Sequence, residues 1–122
     1  MKLSCEKALL QSAIATSARA TAPKSSIPAL EGILLECDSE LRLTCYNLET
    51  GIRTVVPADV QEAGSLVLSA RLFGDIIRRL PDDMVSITTE GLTVHIQCGV
   101  SQFHIQGIDP EEFPELPSVE PL

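Results

Sequence analysis

Apolar residues recur with the period of an amphipathic α-helix in two stretches of the chain, and the clearer of the two is residues 70–80. At about 100° per residue, one continuous arc of this stretch is apolar and the opposite arc is charged or small. The apolar members are Leu72, Phe73, Ile76, Ile77 and Leu80. Ser69 is a good N-cap and Pro81 cannot continue a helix, so the stretch has a defined start and stop.

The second helical stretch is residues 6–19, which follows a short alternating strand at the N-terminus. Its apolar arc is modest and rich in alanine. The arc contains Leu9, Leu10, Ala13, Ile14 and Ser17. A face of this kind is typical of a helix that packs closely on a sheet.

Most of the remaining chain alternates apolar and polar residues with the two-residue period of β-strands. The predicted strands are residues 2–6, 29–36, 41–45, 52–56, 66–68, 85–89, 92–98 and 102–107. The polar residues 59–64 predict a connector. The order β-α-β-β-β therefore occurs twice, on either side of about residue 62, with no evident sequence identity between the halves. We expect an α+β fold with two helices packed on one face of a largely antiparallel sheet.

The end of the chain has a different composition. Residues 109–122 contain four prolines and four glutamates, which is typical of an extended linker. We therefore expect one domain at residues 1–110 and a linker at residues 111–122 that leads to a second domain not included here. Phe113 and Leu116 are predicted to be pinned to something, because a pure linker has little use for them.

Composition narrows the class of protein. With 122 residues and 44% apolar residues, the chain can bury a core as a single domain. No apolar run is long enough to span a bilayer, and the N-terminus lacks the pattern of a signal peptide, so we expect a cytoplasmic protein without a membrane partner. Four widely spaced cysteines fall in strand-like segments and are expected to be reduced and buried, since a zinc site needs closer pairs: Cys5, Cys37, Cys45 and Cys98.

The net charge of −8 hides an uneven distribution. Residues 7–26 and 71–80 together hold six basic residues and one acidic residue, a net charge of +5, which leaves −13 on the other ninety-two. If both helices lie on the same side of the sheet, Lys7, Arg19, Arg71, Arg78 and Arg79 share one basic surface. The simpler interpretation, a solvated helix face with favourable end charges, stays open.

Motifs of catalysis are absent from the sequence. There is no P-loop, GxGxxG, GxSxG or HExxH pattern. His95 and His104 occupy strand positions opposite the apolar ones and are expected to face solvent, and the glutamates of the tail lack a rigid frame. We expect no cofactor, no metal and no enzymatic activity.

Five segments, in this order and at this spacing, resemble the first domain of the bacterial DNA sliding clamp, the beta subunit of DNA polymerase III. They are MKL at residues 1–3, KSSIPAL at 24–30, YNLE at 46–49, SARLFGDIIRRLP at 69–81 and EFPELP at 112–117. The resemblance covers essentially the whole chain. It departs at Asn47, where the family usually has aspartate, and at Leu122, where the family continues.

The resemblance implies a processivity clamp, in which three such domains per chain form a ring-shaped homodimer around duplex DNA. Positive side chains on the helices then meet phosphates without reading sequence. The implied DNA-binding residues are Lys24, Arg71, Arg78, Arg79, Lys7 and Arg19. Taken as an isolated basic residue, Lys24 is more simply explained as a solvated loop lysine.

The resemblance also implies partners and a ring interface. DNA polymerase III subunits and the clamp loader bind mainly through later domains, so their peptide groove is expected to be absent here. The ring is expected to close through Phe103 and Ile105 on the last strand, with Ile76 and Leu80, although the last two fit equally well in an ordinary core. The alternative function is a stand-alone acidic α+β module that binds a basic protein.

Overall fold

The computed structural model describes residues 1–22 and 24–116. The first half contains strand β1 (Lys2–Glu6), helix α1 (Lys7–Ser17) and strands β2 (Gly32–Cys37), β3 (Leu41–Tyr46) and β4 (Gly51–Val56). Strand β5 (Asp59–Glu62) ends the first half, and the second half contains β6 (Gly64–Ser69), α2 (Ala70–Arg79), β7 (Met84–Glu90), β8 (Thr93–Cys98) and β9 (Ser101–Gln106). Short 3-10 helices lie at Ala18–Ala20, Pro28–Glu31 and Pro110–Glu112.

The strands form two antiparallel sheets. One has five strands in the order β5-β1-β7-β8-β9, and the other has four in the order β4-β3-β2-β6. The predicted α+β fold, with two helices and antiparallel strands, is confirmed; the strands divide between two sheets instead of forming one. The division arises because the halves exchange their first strands: β1 pairs with β7, and β6 pairs with β2.

The two helices lie side by side and antiparallel. At one end, Lys7 at the start of α1 donates from Nζ to the carbonyl oxygen of Leu80, just past the end of α2 (2.6 Å). At the other end, Ala18 just past α1 and Ala70 at the start of α2 line a groove between the helices. Helix α2 begins as predicted, because the Ser69 hydroxyl accepts a hydrogen bond from the amide of Leu72 (3.3 Å). Helix α1 ends earlier than predicted, because its last turn tightens into the 3-10 helix.

One hydrophobic core fills the space between the helices and the inner faces of both sheets. Its fully buried members include Leu10 on α1 and Phe73 and Ile77 on α2. Two residues of the predicted apolar arcs lie outside it: Leu9 and Leu72 are 42% and 44% exposed. Each sits one position before the most buried residue of its helix, at the edge of the arc where the sheet no longer covers it.

The chain after β9 packs on the outer face of the four-stranded sheet. Phe113 is 7% exposed and joins a small second cluster with Leu30, Tyr46 and Val67. Leu116 lies close over a glycine of β4. Phe113 and Leu116 are therefore held in place as predicted, and the structure identifies this sheet face as what holds them. The rest of the predicted linker, residues 117–122, lies outside the described residues.

Two strand predictions were wrong. The strand predicted at residues 29–36 begins only at Gly32, because Pro28 starts a 3-10 turn before it. Residues 59–62, predicted as a connector, form the edge strand β5. Its alternation is hard to detect because its flanking residues face solvent and Val60 is its single apolar residue.

Candidate nucleic-acid interface

The helices carry a strong excess of positive charge on their exposed side. Among the described residues of α1, of α2 and of the 3-10 turn between Ala18 and Ala20, the ionisable side chains are Lys7, Arg19, Arg71, Asp75, Arg78 and Arg79. The four arginines are all exposed. We call these four residues the arginine surface. Three of them lie on α2, and Arg19 lies on the 3-10 turn that follows α1.

A shallow groove of about 270 Å³ runs between the two helices. Its floor is built from small and apolar residues, namely Ile14, Ala15, Ala18, Ala70 and Gly74. Its polar rim contains Gln11 from α1 and Arg71, Asp75 and Arg78 from α2. Small residues in the floor let the helices approach closely, so the guanidinium groups stand above a low surface. Such a surface can meet an extended anionic backbone without steric obstruction.

One arginine of this surface has an acidic partner. Arg78 donates from Nη2 to Oδ1 of Asp75, one turn earlier in α2, at 2.8 Å. The Arg78 side chain is 63% exposed and the Asp75 side chain 37% exposed. Because both side chains reach solvent, another anion can readily replace the Asp75 carboxylate as the partner of Arg78.

Lys7 is directed differently from the arginines. Its Nζ donates to the carbonyl oxygens of Arg78 (3.3 Å) and Leu80 (2.6 Å). These carbonyls lie at the C-terminal end of α2, where a cation is favoured by the helix dipole. Lys7 is half-buried and joins the start of α1 to the end of α2. Its side chain therefore has a structural role that the sequence did not predict.

Lys24 lies in the loop between the 3-10 helix Ala18–Ala20 and the 3-10 helix Pro28–Glu31, which precedes β2. It is exposed and adopts a left-handed backbone conformation with φ of 59°. Its amide donates to Oε1 of Glu31 at 3.0 Å. Glu31 also lines a cavity shared with Arg71 at the start of α2, so this contact ties the Lys24 loop to the same end of α2.

The predicted ring-interface residues divide between strand β9 and helix α2. Strand β9 is the edge of the five-stranded sheet, and Phe103 and Ile105 lie half-buried on its inner face. Ile76 is also half-buried and packs against the core, whereas Leu80 is only 2% exposed. Phe103, Ile105 and Ile76 thus have surface to offer a partner. Leu80 belongs to the core.

The cysteines and histidines form no reactive centre in the described residues. All four thiols are unpaired and buried, as predicted. Burial raises the pKa of the Cys5 thiol to about 11 and that of Cys45 to about 12. His95 and His104 pack edge to face on the outer side of their sheet, with ring centroids 4.4 Å apart. Residues 1–22 and 24–116 contain no group of three or more side chains able to hold a metal ion.

No helix in the described part of the chain combines the length and the apolar character required to cross a membrane.

Sequence reasoning missed two features of this surface. The Asp75–Arg78 pair was detectable, because residues three apart on a helix are neighbours. The bonds from Lys7 to the end of α2 were not, since they depend on how two helices distant in sequence come together.

Comparison with known proteins accounts for this architecture. A family model described as the DNA polymerase III beta subunit, N-terminal domain, matches residues 1–117. The beta sliding clamp of Streptomyces coelicolor is 35% identical over 120 residues, which cover 98% of this chain and 32% of that protein. The beta sliding clamp of Synechocystis sp. is 36% identical over 132 residues, covering 98% of this chain and 33% of that protein.

The fold is similar as well. The crystal structure of the DNA polymerase sliding clamp from Bacillus subtilis superposes with a TM-score of 0.93 at 28% identity, covering 98% of this chain and 34% of that one. The chain thus spans about a third of the length of the relatives it matches. Since the family model covers nearly all of it, the chain belongs to the DNA polymerase III beta subunit family, as its N-terminal domain.

Proposed function

We propose that this chain is the first domain of a non-catalytic processivity clamp, which encircles duplex DNA as a ring-shaped homodimer and holds the polymerase on its template. The observation that carries the proposal is the arginine surface on a chain whose net charge is −8. A protein of this charge repels DNA everywhere except where cations are concentrated. Family membership over residues 1–117 favours the clamp over the stand-alone acidic interaction module.

DNA contact in this proposal comes from the arginine surface, with Lys24 approaching from its loop. The arginines meet backbone phosphates and not base edges, so the contact positions the protein on the duplex without reading its sequence. Lys7 contributes its charge from behind the surface while it joins the helices. Sequence-independent contact of this kind suits a protein that slides.

Ring closure is assigned to the β9 edge. An edge strand leaves one row of backbone amides and carbonyls without strand partners, and such edges are natural sites for pairing with another chain. In the described residues no strand pairs with the outer side of β9. Phe103, Ile105 and Ile76 would supply the apolar contact beside that pairing. Polymerase and clamp-loader subunits would dock mainly on parts of the protein beyond this domain.

The proposal is tested with the ¹⁵N-labelled chain and a short duplex DNA at low salt, followed by chemical-shift titration. We expect the shifted amides to lie in α1, α2 and the Lys24 loop. Replacing Arg71, Arg78 and Arg79 by glutamine should weaken binding. The matched control replaces three cations outside the helices by glutamine: Lys2, Arg42 and Arg53.

The two triple variants carry the same change in net charge, so long-range attraction falls equally in both. If DNA contacts the helices, the chemical-shift changes should fall further in the helix variant than in the control variant. The DNA affinity of the helix variant should also depend less steeply on salt concentration. Equal losses in both variants, shifts confined to the sheets, or no shifts in the unmodified chain would contradict the proposal.

A further inference from the structure

Asp75 is the single acidic residue on the described parts of the two helices and of the 3-10 turn after α1. On the described residues of the two helices and the 3-10 turn after α1, every other ionisable side chain is basic. A carboxylate at this place repels the phosphates that the arginines attract. Its presence therefore needs a reason.

The structure gives Asp75 no packing role. Its side chain is 37% exposed at the rim of the groove, and the hydrogen bond recorded for its carboxylate among the described residues is the one from Arg78. It lies in the middle of α2, where neither end of the helix dipole favours a charge. An exposed pair three residues apart stabilises a helix only slightly.

What the carboxylate does is to occupy Arg78. Arginine binds phosphate best when its planar guanidinium group offers two donors to it. With Nη2 held at 2.8 Å by Asp75, a phosphate must displace the carboxylate or accept a contact with fewer donors. Arg71, one turn before Asp75 on the same rim, feels the same negative charge at longer range.

We infer that Asp75 attenuates DNA binding: by competing with phosphate for Arg78, it keeps the contact between the arginine surface and the duplex weak and rapidly exchanging. This inference rests on the proposed function. A clamp that stays on DNA by topology gains nothing from tight phosphate contacts, because each must break whenever the ring moves along the helix. A carboxylate within the cationic surface weakens these phosphate contacts and so lowers the resistance to sliding. Most of the long-range attraction between the surface and DNA remains.

The chain offers a matched control for this inference. Asp38, in the turn before β3, pairs with Arg42 on β3, and the guanidinium donates to both carboxylate oxygens at 2.9 and 2.8 Å. The hydrogen bonds from Arg42 hold the pKa of Asp38 well below its usual range. Asp38→Asn therefore frees an arginine and adds one positive charge, as Asp75→Asn does, but away from the helices.

The experiment measures the dissociation constant for a short duplex DNA, by the same titration, over a series of low salt concentrations. We expect Asp75→Asn to bind severalfold more tightly than the unmodified chain. The slope of log affinity against log salt should steepen by about 0.9, which corresponds to one added phosphate contact. Asp38→Asn should keep the original slope.

A double variant shows whether Asp75 acts through Arg78. In the Arg78→Gln background, Asp75→Asn should lose most of its gain, since the freed donor is no longer there. Thermal unfolding of each variant serves as the check that the fold is retained, and Asp75→Ser provides a second neutral replacement. A gain of equal size in the Arg78→Gln background would overturn the inference, because it would reduce Asp75 to a bulk charge.

The outcomes separate this inference from the proposed function. If the triple glutamine variant loses DNA binding but Asp75→Asn binds like the unmodified chain, attenuation by Asp75 is wrong and the DNA contact stands. If Asp38→Asn gains as much as Asp75→Asn, attenuation is again wrong. If neither the unmodified chain nor Asp75→Asn shifts with DNA, both proposals are wrong.

Discussion

At the scale of single residues, burial decides the chemistry of the cysteines. Cys5 and Cys45 are 1% and 0% exposed, in β1 and β3 respectively. A thiolate at either site would have lost its hydration, so the thiol form is held and its pKa is raised. Only the thiolate reacts as a nucleophile. These residues therefore act as small apolar core side chains.

We predict that the buried thiols of the folded chain react with a disulfide reagent at about pH 8 far more slowly than those of the unfolded chain. Rapid labelling of the native protein would argue against their burial.

The raised thiol pKa values also set a pH dependence of stability. Above the ordinary thiol pKa of 9.0 the unfolded chain loses protons that the folded chain keeps. Stability should therefore fall as pH rises through the window from 9.0 to about 11. The free energy of unfolding in urea, measured across that window, tests this pH dependence, and a constant value would contradict it.

Two glycines predict opposite effects of the same substitution. A Cβ at Gly32 would lie 2.6 Å from Cγ1 of Val67 and 2.7 Å from the carbonyl oxygen of Leu68, so Gly32→Ala should destabilise by about 1–3 kcal/mol. A Cβ at Gly74 would meet only Cγ2 of Ile14, at an ordinary 3.6 Å. Gly74→Ala in the interior of α2 should therefore stabilise by about 0.5–1 kcal/mol. Denaturant unfolding compares the two, and a loss of stability in both would contradict the contacts described.

At the scale of elements, the amphipathic period predicts where the helices occur more reliably than it predicts which of their residues are buried. Phe73 and Ile77 were expected in the core and are fully buried, because the centre of an apolar arc faces the sheet wherever the sheet lies. Leu9 and Leu72 at the edges of their arcs are exposed, since their burial depends on how far the neighbouring element reaches. The partner of the Lys7 ammonium could not be predicted at all, because it is a backbone carbonyl of another helix.

Lys7 gives a test of the contact between the helices. Lys7→Met keeps much of the side-chain length but removes the donor to the carbonyls of Arg78 and Leu80. We predict a loss of about 1 kcal/mol, because the bond is charge-assisted but only part-buried. Lys2→Met, at an exposed position of β1, is the control and should change stability little. The free energy of unfolding in urea provides the measurement, and equal effects would show that the ammonium does not join the helices.

At the scale of the whole molecule, pairing across the two halves is the feature that sequence patterns could not reveal. The order β-α-β-β-β was readable twice, but alternation within a strand does not name the strand beside it. Leu3 of β1 lies opposite Ile87 of β7, and Gly32 of β2 lies opposite Ser69 of β6. We predicted one sheet and the structure has two, because the pairings that define the two sheets join strands far apart in sequence.

Exchange of the first strands predicts that neither half folds alone. A fragment of residues 1–62 contains β1 without its partner β7, and a fragment of residues 63–122 contains β6 without its partner β2. Each should give the narrow amide dispersion of an unfolded chain in a heteronuclear NMR spectrum. An equimolar mixture should recover the dispersion of the intact chain. A well-dispersed spectrum from either fragment alone would show that its sheet is self-sufficient.

The position of β1 also has a consequence for synthesis. The amide of Thr89 donates to the carbonyl oxygen of Met1 at 3.0 Å, and the N-terminal ammonium donates to the Thr89 hydroxyl across a sequence separation of 88. The first strand thus leaves the ribosome on the order of ten seconds before the strand that receives it. Until then the edge of β1 that pairs with β7 has no strand partner, and the apolar residues Leu3 and Cys5 lack their cover. Nascent chains should therefore need protection from aggregation at this stage, and contacts so distant along the chain should make closure of the domain slow.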